Sequence, residues 1–171
     1  WRVDEVEEEG TFKKGEVWSF MPCQLAFPGA EGYGRYARGG RGGKVVYVTN
    51  LNDAGPGSFR EAVTNGSGPR TVLFAVSGIV RLESRIMSNE QITIAGQTAP
   101  GKGVCFLSSP IGINSESVCR FLRIRLGGGT TYDGLGMAGT NHSIVDHCSV
   151  SWTIDEAFSS RGAKNLTLQR T

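Results

Sequence analysis

The sequence predicts an all-β chain built as a solenoid, and two observations carry that prediction. Short β-rich runs recur along the 171 residues: "KVVYVTNL" (44–51), "RTVLFAVSGIVRL" (70–82), "QITIAG" (91–96), "GVCFLSS" (103–109), "VCRFLRIRLG" (118–127), "HSIVDHCSVSW" (142–152) and "NLTLQRT" (165–171). The later runs begin roughly 23 to 28 residues apart, each introduced by a polar turn, "NSES", "GTN" or "GAKN". The second observation is the near absence of helix. Only "GSFREAV" (57–63) has a helical pattern, and strands that follow strands exclude a doubly wound sheet. A period in the twenties fits a stack whose coils bury their inward residues only against one another. Alternation of Ile92 with Ile94, and of Leu166 with Leu168, sets one face in and one face out. A β-sandwich also suits short strands with regular turns, but the fixed period favours the solenoid.

The elements follow in order. Residues 1–25 form an extension with an acidic run from Asp4 to Glu9, read as a solvated face. Residues 26–171 form the repeat domain. Its opening crowds glycine and arginine in "AFPGAEGYGRYARGGRGGK", which is not a phosphate loop: Arg38 stands where the first glycine should be, and Val45 replaces the hydroxyl residue. Gly32-Tyr33-Gly34-Arg35-Tyr36-Ala37 has no apolar strand before it, so the dinucleotide fingerprint fails too. The basic, glycine-rich composition stops at Lys44, too short for a nucleic-acid arm, and no nucleic-acid partner is expected. A loop covering the start of a β domain remains. A formal net charge of +2 favours no class of partner, and no apolar run approaches a membrane span. Cys23, Cys105, Cys119 and Cys148 lack the C-x-x-C of a zinc site. They read as buried thiols, although stacked coils could bring the last three together as disulfides.

Three ordered blocks, "AFPGAEGYGRYARGGRGGKVVYVTNLNDAGPGSFREAV", "ITIAGQTAPGKGV" and "SIVDHCSVSWTIDEAFS", resemble the opening of secreted pectate lyases of the polysaccharide lyase 1 type. The resemblance implies a right-handed parallel β-helix, in which the glycine-rich opening and the short helix would cap the first coil. It also implies calcium-dependent β-elimination of polygalacturonate by a monomeric, secreted or periplasmic enzyme. Elimination removes a proton α to a carboxylate, which is weakly acidic until the carboxylate's charge is neutralised. Calcium, held by hard oxygen ligands, does that in the family.

By the resemblance, Asp133 in "TTYDGLGM" would be one calcium ligand and Asp155 the acidic ligand one coil later, with Glu156 the nearest further carboxylate. Where the family has another aspartate this chain has Ser159. The residues alone give a plainer reading of Asp133-Gly134, which is a turn. Asp146, also a carboxylate, is followed by His147 in what looks like the end of the family's W-I-D-H motif, with Ile144 and Val145 in place of its first two residues. Hydrogen bonding between coils is the favoured role for that pair, and general acid–base work the alternative. The family's base is an arginine on a later coil, and no residue matches it by motif. Arg161 and His147 are the weak candidates for that role, whereas Arg123, Arg125 and Arg161 are expected to contact uronate carboxylates. The chain therefore reads as the N-terminal piece of a longer enzyme. A non-catalytic solenoid, either structural or binding acidic polysaccharide, is the other reading, since it needs neither the carboxylates nor the arginine.

Overall fold

The computed structural model describes residues 1–20, 22–128 and 131–171. Its body is a parallel β-helix with three faces. The first is a six-stranded sheet of Lys44–Val48, Arg70–Phe74, Ile92–Ala95, Val118–Arg120, Asn141–Asp146 and Lys164–Gln169. The second stacks Gly78–Arg81, Val104–Leu107, Arg123–Arg125 and Ser149–Ser151. The third stacks Ile86–Met87, Ile111–Gly112, Leu135–Gly136 and Phe158–Ser159. Every pairing within these sheets is parallel. Parallel crossovers take the right-handed course almost without exception. Several of the runs read from sequence each supply two strands, because a sharp corner divides them. At the corner after the first face Phe121, His147 and Arg170 stand above one another in left-handed backbone, with φ of 56°, 52° and 51°.

Inward side chains form columns. Val72, Ile94, Cys119 and Val145 are stacked by register along the first face, and Val80, Phe106 and Ile124 along the second, all fully buried or nearly so. The end of this core is closed by the helix Phe59–Thr64. Ser58 caps the helix by accepting from the Glu61 amide, and the Glu61 carboxylate accepts from the amide of the preceding Gly57 at 2.7 Å, a close variant of the capping box. The buried Phe59 ring stacks on Phe74 at 5.8 Å and packs at a tilt against Phe106 at 4.5 Å. The expected cap is therefore present, shifted slightly from 57–63.

The glycine-rich opening does something else. It does not cap the first coil but runs the length of the stack as a strap over the first face. Glu31 donates its amide to Gln169 Oε1, Gly34 to Thr167 Oγ1, Gly39 to the Glu116 carbonyl, Gly40 to Thr93 Oγ1, and Lys44 to the Pro69 carbonyl. A Cβ on Gly34 would stand 2.1 Å from the Ser143 carbonyl oxygen, and one on Gly40 2.0 Å from that of Arg70. Glycine is required there by the closeness of two backbones. Under the strap Ala30 and Ala37 pack on Val118 and Ile144, which explains why "SIVD" is apolar on both faces of its strand. The extension before the strap carries an exposed antiparallel pair, Glu5–Val6 with Phe12–Lys13.

All four cysteines are free thiols. Cys119 and Cys148 are buried with sulfurs 3.9 Å apart, Cys105 is half-buried and Cys23 is exposed in the extension. Burial was thus the wrong reading for Cys23, which precedes the strap and has no coil to pack against.

Candidate active site

Two loops between the second and third faces bring three carboxylates together. The backbone sets their register: the Gly134 amide donates to the Glu156 carbonyl at 2.9 Å, Leu135 to Ala157 at 2.9 Å, and Leu135 and Gly136 pair with Phe158 and Ser159. This places Asp133 against Asp155 and Glu156, with one ligand oxygen from each within 4.8 Å of the others. Gly134 is more than a turn residue. It is buried, and a Cβ there would come within 2.2 Å of Val150 Cγ1, so close packing under the site demands glycine.

Asp133 and Asp155 line an open cavity of about 190 Å³, together with Arg85, Pro110, Thr131, Tyr132 and Gly136. A hydrogen bond from Ser159, the residue standing where the resemblance leads one to expect an aspartate, does most to hold the Asp133 carboxyl below its ordinary range. Glu156 and the charge of Arg85 add to it. Glu156 moves the other way: sharing a hydrogen with Asp155 raises its proton affinity, and Asp133 reinforces that. Crowded carboxylates that share a proton are short of positive charge. An all-oxygen donor set in this state fits a hard cation such as calcium.

Asp146 is also a carboxylate but is built oppositely. It is fully buried at the corner after the first face, far along the coil from the acidic loops. Its Oδ2 accepts from Arg120 Nε at 2.7 Å and His147 Nδ1 at 2.9 Å, and its Oδ1 from Gln169 Nε2 at 2.7 Å and Arg170 Nη1 at 3.3 Å. Burial alone would raise its pKa, yet the hydrogen bonds from Gln169, His147 and Arg120 bring it down to about 2. The His147 ring stacks on Phe121 at 4.6 Å, and Arg120 lies over the Phe27 ring at 3.8 Å, which pins the strap.

The expected arginines are dispersed. Arg123 and Arg125 stand in register on the outer side of the second face. Arg123 donates to the carbonyls of Val104 and Lys102, and Arg125 to those of Ile124 and Ser149. Arg161 is exposed in the loop after the third face. The basic residue in the acidic cavity is Arg85, which sequence reading passed over. The signal for it lay in glycines at outward positions of the third face, in "PIGIN" and "LGM".

Fold and site together define a parallel β-helix protein with an acidic surface site spanning two coils. The comparisons place it further. No protein-family model matches the chain. It is 46% identical over 152 residues to the protein named "Probable pectate lyase C" of Aspergillus fumigatus, an alignment covering 86% of this chain and 36% of that protein. It is 30% identical over 145 residues to "Probable pectate lyase 5" of Arabidopsis thaliana, covering 71% of this chain and 35% of that one. Among solved structures it matches Jun a 1, the major allergen from cedar pollen, with a TM-score of 0.63 at 19% identity, over 80% of this chain and 46% of the other. By sequence this chain is a relative of the pectate lyases, which are polysaccharide lyases. It spans about a third of the length of the curated relatives it matches.

Proposed function

We propose that the protein is a calcium-dependent pectate lyase acting outside the cell as a monomer on polygalacturonate, with Asp133, Asp155 and Glu156 as its cation ligands. The observation that supports this most is the meeting of those three carboxylates from successive coils, in a relative of the pectate lyases. Bound there, calcium would supply positive charge to a uronate carboxylate and so acidify its α proton. The chain's own contribution is to hold that position. The backbone pairing of 134–137 with 156–159 fixes the loops, and Ser159 orients Asp133. In the elimination a base takes the C5 proton, the C5 electron pair forms the C4–C5 double bond, and the C4–O bond breaks with its pair leaving on oxygen, which is then protonated. His147 is committed to Asp146 and Phe121 at another corner, which supports the interlocking role over the catalytic one. Arg161, whose carbonyl accepts from the Gly139 amide, is exposed in the loop after the third face, where a uronate chain can meet it.

The conjugated double bond of the product absorbs in the ultraviolet, which makes the test direct. The natural protein that carries this chain, given polygalacturonate and calcium at alkaline pH, produces rising absorbance that chelation abolishes and Asp155→Ala reduces by about 10²-fold or more. Absence of that absorbance overturns the reading in favour of a polysaccharide-binding solenoid.

A further inference from the structure

Arg85 precedes the first strand of the third face and is fixed from behind. Arg60, on the capping helix, donates to the Arg85 carbonyl at 3.1 Å and to the Ser84 carbonyl at 2.7 Å, and Asp53 holds Arg60 at 2.7 Å. Ahead of it the outward positions of the next two coils, in register with Met87, are Gly112 and Gly136. This strip is covered by two side chains: Met87 Sδ would stand 2.3 Å from a Cβ on Gly112, and the Arg85 guanidinium lies beside it, its Nη2 3.5 Å from that position and 3.4 Å from a Cβ on Gly136. It enters the cavity of Asp133 and Asp155, yet makes no hydrogen bond or ion pair to any described residue. Arg60, Arg120, Arg123 and Arg125 all spend donors on named partners. A guanidinium backed by a clamped main chain, laid on a glycine floor and left with its whole fork free, is arranged to meet something from outside.

We propose that Arg85 is a substrate-binding residue whose fork takes the carboxylate of an acidic sugar at the cavity of Asp133 and Asp155, and whose charge balances the acidic group until a cation binds there. The inference rests on the acidic-polysaccharide reading above. Guanidinium matches carboxylate with two parallel hydrogen bonds, a geometry no ammonium reproduces. The absence of side chains at Gly112 and Gly136 lets the Arg85 guanidinium lie close against the stack beside the cavity. The same positive charge beside Asp133 opposes a second cation, so sugar binding and cation binding are linked through one side chain.

Equilibrium binding on the folded protein tests this without turnover, using calcium alone and trigalacturonate in the presence of calcium. Arg85→Ala binds calcium about 3- to 10-fold more tightly, because one unit charge has left the cavity rim. It binds trigalacturonate about tenfold more weakly, because a charge-assisted pair is lost. Arg85→Lys keeps the calcium affinity near that of the natural protein but recovers only part of the sugar affinity. Unchanged trigalacturonate binding in Arg85→Ala overturns the proposal, as does unchanged calcium binding. Failure of the unsubstituted protein to bind calcium overturns the cation reading and the proposal together, and is seen before any substitution is made.

Discussion

Asp146 and the trio of Asp133, Asp155 and Glu156 show what one chemical group does in two settings. At the corner after the first face, a single buried carboxylate is met by donors from Arg120, His147, Gln169 and Arg170, contributed by three successive coils. Its lone pairs are spent, and its work is to lock coil to coil and, through Arg120 on Phe27, coil to strap. Between the second and third faces, three carboxylates meet in the open with the Ser159 hydroxyl as a donor and Arg85, unpaired among the described residues, nearby. They are short of positive charge. A carboxylate with its full complement of donors holds a fold together, whereas carboxylates gathered without one are ready to take a ligand.

Substitution breaks this comparison most sharply at the buried corner. Asp146→Ala leaves Arg120 partly buried and unpaired and is expected to lower unfolding free energy by about 3 kcal/mol in denaturant titration. A loss under about 1 kcal/mol would mean the corner is not the lock described. The next effect is that of pH. The Asp146 pKa falls from its unfolded value of about 4 to about 2 on folding, so its contribution is complete above about pH 4 and is lost as pH drops toward 2. That contribution is about 2 kcal/mol, and Asp146→Asn flattens this limb of the stability profile. The smallest effect belongs to the acidic loops: Asp155→Asn without calcium changes stability by no more than about 0.5 kcal/mol, as surface substitutions do. A large destabilisation there would assign the trio to the fold.

The six strands of the first face were legible in the sequence because pairs such as Ile92 and Ile94, or Leu166 and Leu168, alternate within runs that recur along the chain. The third face was not, since its strands are two residues long and place glycine outward at Gly112 and Gly136. The corners were hidden as well: Phe121, His147 and Arg170 take left-handed backbone with no glycine to announce it. The glycine-rich strap was visible as composition, but its purpose depends on partners as distant as Thr167, 133 positions from Gly34. Asp133 and Asp155 could be read as neighbours from their spacing of about one repeat, but their role as ligands, with Glu156, came from the family resemblance. What unites them is the pairing of Leu135 with Phe158, a register that exists only once the coils have stacked. Arg85 was missed for the same reason, because its setting is made by glycines on the two following coils.

The central claim is that the trio, and not the buried corner, takes the cation, and thermal unfolding with and without calcium tests it most directly. The natural protein is expected to gain stability with calcium, by about 2.7 kcal/mol when the free ion stands at a hundred times its dissociation constant. Asp133→Asn is expected to lose that gain while unfolding normally in chelator. Equal stabilisation of both proteins, or of neither, would contradict the account.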